Sequence, residues 1–300
     1  MCSLAATANS THLITLRACG STFHLECADH AIAGLIEVAF GALIVPFSES
    51  RSELTRNYQI RRGTTAEDFS VCDFEGVVAQ IDDADSLLWH LDKSLTLALQ
   101  YRRPDLYFVH AAAVALAGGV AVLAAPPGTG KSTLTVALLE RGFTYLSDEL
   151  APIDIHGWSV YPYAHAVNLK STPPQPLRLP PGTVAIGRRF HVPTCRLPAV
   201  AGEEPLPLVA LIFPERSSEP AARCRRIRPS LAAVHLLANA LNALAHPNDG
   251  LDGAVSLAQQ IPSFQVNIHD LSAACEDIAA VMTVPKAIKV RAADRIDSSI

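Results

Sequence analysis

The sequence predicts an α/β chain in which a smaller α+β module precedes a main domain of alternating strands and helices. Three observations predict it. The apolar run "GVAVLAA", residues 119 to 125, passes through the glycine-rich turn "PPGTG" directly into the helical pattern "KSTLTVALLERG", and another strand-like run follows. Buried-strand runs return at "LPLVALIFPE" and "SFQVNI", each with a helical pattern further on. Before residue 104, by contrast, runs of alternating apolar and polar residues outnumber helical ones.

In chain order, "HLITLRA" and "TFHLECA" alternate with period two around "CGS" and form a hairpin, and "AIAGLIEVAFGAL" is apolar enough to be a packed helix. "NYQIRRG", "DFSVCDF" and "GVVAQID" extend the sheet. Residues 83 to 102 have helical spacing with Asp83 or Asp85 as the cap. Next come the strand run "LYFVHAAAVAL", a glycine turn, and "GVAVLAA". The helix after the glycine loop closes at Gly142, and "FTYLSDELAPIDI" is the strand that completes a right-handed βαβ unit. "WSVYPYAHAVNLK" is extended, and "STPPQPLRLPPG" is a proline-rich loop, read as a flap, because proline forbids regular helix there. "LPLVALIFPE" and "ARCRRIR" are strands, and "PSLAAVHLLANALNALA" is a helix opened by Pro229 and Ser230. "SFQVNIHDLSAACEDIAAVM" ends the fold as strand then helix. The division is therefore residues 1–103 for the α+β module, 104–285 for the main domain and 286–300 for a flexible tail.

Composition narrows the function. With 49% hydrophobic and 18% charged residues in a chain of 300, a sizeable core is expected. A formal net charge of -5 gives no general attraction to nucleic acid, and "RCRRIR" is too short to change that. The seven cysteines are odd in number and contain no C-x-x-C, which fits a reducing, cytoplasmic setting rather than a disulfide framework or zinc knuckle. No leader and no membrane-spanning run is recognised.

The chemistry begins at "AAPPGTGKST". A phosphate-binding loop wants Gly, four free positions, Gly, Lys, then Ser or Thr; here Ala125 stands at the first glycine position and Gly130, Lys131 and Ser132 fill the rest. The first glycine serves the turn, whereas phosphate is held by later loop amides and the helix N-terminus, so alanine is a mild departure. Residues Pro127, Gly128, Thr129, Gly130, Lys131, Ser132 and Thr133 form the expected cradle for ATP. Lys131 is to reach the β- and γ-phosphates, the Ser132 hydroxyl to ligate Mg2+, and Thr133 to touch the α-phosphate.

What the phosphate is transferred to depends on the neighbours. Asp148 and Glu149 end the strand after the loop helix, seventeen positions beyond Lys131, which is early for the acidic pair of a motor ATPase and favours a kinase. His110 precedes the glycine hairpin, and the residues alone leave it open between a packed histidine and a group near the γ-phosphate.

The stretch from residue 107 to 170, with "VHAAAVALAGGVAVLAAPPGTGKSTLTVALLERGFTYLSDELAPI" and "YPYAHAVNLK", resembles the core of HPr kinase/phosphorylase, and more closely the family called HprK-related kinase A. The resemblance implies a P-loop kinase core of the HPr-kinase/PEP-carboxykinase type. It puts Asp148 in the place of the carboxylate that accepts or orients the acceptor hydroxyl proton, Glu149 in that of the acidic neighbour of magnesium, and His110 in that of a histidine hydrogen-bonded around Asp148 and the phosphate. It implies a serine kinase acting on a peptide or small protein encoded nearby. The acidic pair is Asp-Glu where HPr kinase has Asp-Asp, and the glycine-rich segment serving phosphorolysis is not found, so phosphorylase activity and HPr as acceptor are not expected.

Two other readings stay open from sequence: a nucleotide-binding regulatory protein with little transferase activity, and a small-molecule kinase. Lys170 is either another cation at the site or a solvated lysine. Arg225, Arg226 and Arg228 are read as a solvated edge strand, and Asn239 and Asn242 as helix-surface or capping residues. No H-E-x-x-H spacing supports a structural metal. The first module is read as an acceptor-binding element or an oligomer contact.

Overall fold

The computed structural model describes residues 11–47, 55–65, 67–73, 75–216 and 224–283, so the tail expected at 286–300 lies outside the described residues. The chain starts with β1 (His12–Ala18) and β2 (Ser21–Cys27), joined at Cys19 and Gly20, whose φ values of 50° and 74° are both positive as a tight right-twisted hairpin requires. Helix α1 (His30–Phe40) follows, capped by Asp29, whose carboxylate accepts from the Ile32 N–H. Four strands come next: β3 (Ile44–Val45), β4 (Thr55–Arg62), β5 (Phe69–Cys72) and β6 (Val78–Ile81). They join the hairpin in a six-stranded sheet of order β3-β1-β2-β4-β5-β6.

Helix α2 (Ala84–Arg102) is the longest element among the described residues, and Asp83 caps it by accepting from the Ser86 N–H. Its buried residues Leu87, Leu91, Leu95 and Leu99 recur every four positions and face the core of the first sheet. That core also takes in Leu106, Phe108, Leu150, Tyr163 and Ile186 from far along the chain.

The second sheet departs from the expected runs in instructive places. "LYFVHAAAVAL" is not one strand but two, β7 (Tyr107–Val109) and β8 (Ala111–Leu116), broken at His110. The break exchanges partners: β7 pairs with β11 (Ala151–Asp154), whereas β8 pairs with β9 (Gly119–Ala124) and β10 (Thr144–Ser147). The run "FTYLSDELAPIDI" breaks likewise, into β10 and β11, so Asp148 and Glu149 lie in a bend. Helix α3 (Lys131–Leu139) connects β9 to β10 and is followed by Gly142 at φ 85°. Because β8 is antiparallel to both, β9 and β10 run parallel to each other with β8 between them.

Beyond this unit the chain forms β12 (Ser159–Val160), β13 (Val167–Leu169), β14 (Val184–Ile186) and β15 (Arg189–Val192). The last three make a small sheet of order β13-β15-β14, not foreseen in sequence, on either side of the proline-rich loop. The spine of the nine-stranded sheet is β16 (Leu206–Glu215), parallel to β9 and to β18 (Ser263–Asn267), with β17 (Cys224–Arg226) on the edge beyond β18. Helix α4 (Pro229–Ala238) stops seven residues short of the expected end at 245. Asn242, expected on a helix surface or at a cap, is instead buried in the following loop. Its Oδ1 accepts from Phe108 N–H at 2.9 Å and its Nδ2 donates to the Leu106 carbonyl at 2.8 Å, which ties the loop to β7. Asn239 does act at the helix end, donating to the His235 carbonyl. Helices α5 (Leu251–Gln260), unforeseen, and α6 (Leu271–Thr283) complete the fold. Together α3 and α6 cover one face of the sheet while α4 and α5 cover the other. Among the described residues no helix is long and apolar enough to cross a membrane.

Candidate active site

The candidate site lies where β9 leaves the sheet and α3 begins. Gly128 and Gly130 have φ values of 83° and 111°, a backbone region costly for other residues, which turns the chain sharply into the N-terminus of α3. Lys131, the first residue of α3, is 7% exposed, and its Nζ donates to the Ala125 carbonyl at 2.5 Å and lies 3.4 Å from His110 Nε2. An ammonium only donates, so His110 Nε2 is the acceptor in that contact and its ring proton sits on Nδ1. Burial, and then the charge of Lys131, lowers the His110 pKa below its ordinary value, so the ring is neutral at pH 7. Burial lowers the Lys131 pKa too, against the pull of Asp148 and Glu149.

The acidic pair enters from the bend between β10 and β11. Asp148 is 1% exposed, and neither carboxylate oxygen makes a hydrogen bond of good geometry, the Ser132 hydroxyl being placed to donate only a weak one. Burial, with the like charge of Glu149 second, raises its pKa to about 6, while His165, the Ser132 hydroxyl and Lys131 oppose the rise. Glu149 shows the opposite balance. Burial alone would raise its pKa, yet His165, Lys93 and His110 together hold it below the ordinary value, and Lys93 Nζ donates to Glu149 Oε2 at 3.3 Å.

One cleft of about 350 Å³ brings together His110, Pro127, Gly128, Gly130, Lys131, Ser132, Thr133, Asp148, Glu149 and Lys170. Thr129 turns aside, its hydroxyl donating to the Pro126 carbonyl at 2.8 Å. Arg226 and Arg228 are exposed and do not line this cleft, while Arg225 is tied to Gln265 on β18. Among the lining residues that sequence reasoning missed are Trp89, Asn168, Arg189 and Arg216. Arg216 had a usable signal, because it follows β16, which neighbours β9, and ligands of open α/β sheets sit outside the carboxyl ends of strands. Its Nε donates to the Thr129 carbonyl at 2.9 Å, which holds the guanidinium over the glycine loop. Trp89 had none, since it arrives on α2 from the other sheet.

Behind Glu149 the cleft adjoins a small recess of about 20 Å³, room for a single water, lined by polar and apolar side chains alike. His165 and His191 are each 3% exposed there, and His191 Nε2 lies 3.8 Å from Asp85 Oδ1. Among the described residues no group of three or more His, Cys, Asp or Glu side chains is arranged to hold a metal ion.

No protein-family model and no curated protein matches the chain. Among solved structures, HPr(Ser) kinase/phosphatase from Coxiella burnetii is similar to it with a TM-score of 0.33 and 15% identity, covering 58% of this chain and 94% of that one.

Proposed function

We propose that the protein is an ATP- and magnesium-dependent kinase that transfers the γ-phosphoryl group to a hydroxyl, serine in our reading, of a peptide or small protein. One observation carries it: a buried carboxylate that makes no hydrogen bond of good geometry, Asp148, shares a cleft with a buried lysine at the head of a glycine-turned helix. The loop from Gly128 to Thr133 offers amides and a helix N-terminus to the phosphates, and Lys131 and Arg216 supply positive charge beside them. The donor set also fits magnesium. Ser132 and Glu149 present the hard oxygens it prefers and are the residues that would hold it; when bound, it would neutralise charge on the phosphates.

In the reaction the acceptor oxygen forms a bond to the γ-phosphorus as the bond to the β-bridging oxygen breaks, and ADP departs with that electron pair. The acceptor proton passes to Asp148. A carboxylate whose pKa is about 6 is mostly ionised at neutral pH yet more basic than an ordinary aspartate, which suits a general base. His110, neutral, orients Lys131 through Nε2.

The test uses γ-labelled ATP and candidate acceptors, beginning with peptides and proteins encoded beside the gene. Asp148→Asn is expected to lower transfer by about 10²–10⁴-fold, the range for a general base, while ATP affinity stays within a few-fold. Unchanged transfer by that variant removes the base assignment. Label released only to water supports a nucleotide-gated regulatory protein instead, and label found only in small molecules a small-molecule kinase.

A further inference from the structure

The exposed ridge of α2 runs out of the candidate active site. Trp89, Lys93, Leu97 and Tyr101 follow one another at four-residue spacing, which places them along one face of the helix. Trp89 lines the cleft and Lys93 pairs with Glu149, so the ridge begins at the chemistry. It ends in an apolar groove of about 640 Å³ formed with the loop after α4. Leu97, Tyr101 and Leu244 in that groove are 63%, 83% and 86% exposed. Large apolar side chains gathered this way on an otherwise polar helix face mark contact surfaces, and Trp and Tyr are the types that most often anchor them.

The charge of the groove selects its occupant. Among the described residues lining it are two carboxylates, Asp73 and Glu75, and no Lys or Arg. Asp73 Oδ1 accepts from the N–H groups of Glu75 and Val77, which fixes the turn that presents them. From Trp89 to Tyr101 the helix advances about 18 Å at 1.5 Å per residue, a distance that an extended peptide covers in about five or six residues.

Resting on the kinase reading, we propose that this ridge and groove dock the acceptor polypeptide: an extended segment with apolar and basic side chains, about five or six residues from the hydroxyl that receives phosphate. The ridge leads the segment past Lys93 to the cleft, and the groove sets the distance at which a hydroxyl is accepted.

The probes are fluorescein-labelled synthetic peptides with one serine and a Leu-Lys-Leu-Arg segment about six residues to either side of it, with Glu replacing Lys and Arg in the controls. Fluorescence anisotropy with the full chain is expected to give at least tenfold tighter binding of one basic peptide than of its acidic control. The combined variant Leu97→Ser, Tyr101→Ser, Leu244→Ser, outside the catalytic machinery, is expected to lose that tenfold while its melting curve and its affinity for fluorescent ATP stay unchanged. Glu75→Lys, at an exposed position, is expected to shift preference toward the acidic peptide, an effect that loss of fold does not produce.

No charge preference, or equal binding by wild type and the combined variant, overturns the docking proposal. So does a variant that turns a dimer into a monomer in sedimentation without changing peptide binding, since the face then belongs to a second copy of the chain. The kinase reading fails separately. Peptide bound on the ridge with no label transferred from ATP, to it or to any other acceptor, counts against that reading and leaves the docking result standing. Transfer to peptides equally by wild type and the combined variant counts against docking alone.

Discussion

Asp148 is held where an aspartate is least comfortable, and its proton records the cost. Its folded-state pKa of about 6 exceeds the ordinary 3.8, so between those values the folded chain binds the proton more tightly than the unfolded chain does. Stability from this residue therefore rises as pH falls from about 6 to about 4, and above pH 6 the penalty is complete, on the order of 3 kcal/mol at 1.36 kcal/mol per unit. Depressed carboxyls such as Asp29 and Asp105 act in the other direction, losing their contribution as the solution is acidified. Comparison with Asp148→Asn separates the two. Without nucleotide, the variant is expected to melt several degrees above wild type at pH 7.5 and close to it at pH 4.5. A variant less stable than wild type at pH 7.5 would show that the carboxylate is satisfied and not strained. The same reasoning places an acidic limb near pH 6 in kcat/KM for phosphate transfer, since only the ionised form takes the acceptor proton.

Elements hold these residues in place through their breaks as much as through their lengths. The interruption at His110 lets β7 and β8 take different neighbours, and His110 N–H donates to the Asn239 carbonyl at 2.7 Å instead of to a strand. Asn242 fastens the same loop to β7. Asn242→Ala leaves the buried Phe108 N–H unpaired, while the Leu106 carbonyl keeps His246 Nε2 at 3.1 Å, so the expected loss in urea unfolding is about 1–3 kcal/mol, the cost of one buried orphan. A loss under about 1 kcal/mol would mean that the loop relaxes to satisfy that N–H. Gly130→Ala meets positive φ together with the Arg216 guanidinium 3.0 Å from the new Cβ, so nucleotide affinity is expected to fall at least tenfold in a fluorescent-ATP titration. Much of this level was legible beforehand. The first hairpin, a cap at Asp83 or Asp85 and the helix after GKS carry their own local signals in alternation, capping and glycine placement. The breaks at His110 and at Asp148–Leu150 were not legible, because an apolar run looks the same whether its strand keeps its hydrogen-bonding partner or exchanges it. The strands β14 and β15 are short, and α5 has a glycine inside it, so neither has the long period that a pattern reading needs.

Across the whole molecule, the cradle and acidic pair were readable because they lie within about twenty residues of one another, whereas Trp89 and Arg189 reach the cleft only through tertiary packing. The two sheets are bound by more than adjacency. Tyr163 donates to Asp92 on α2 at 3.1 Å, and the Ala166 N–H donates to the Ala39 carbonyl at 2.6 Å. Leu106, Phe108, Leu150, Tyr163 and Ile186 all pack into the core of the first sheet. We propose the boundary near residue 103 as a division of topology. Residues 104–283 expressed alone are then expected to aggregate or bind a hydrophobic dye strongly, and a monomeric, dye-silent fragment would refute the shared core. The same packing has a consequence during synthesis on the ribosome. The opening hundred residues leave the exit tunnel with their hairpin and helices able to form, yet the apolar interior those elements enclose is incomplete until Ile186 has also emerged. For the time needed to translate the intervening stretch, the nascent chain presents an unfilled greasy surface, and that interval is when a chaperone has most to protect.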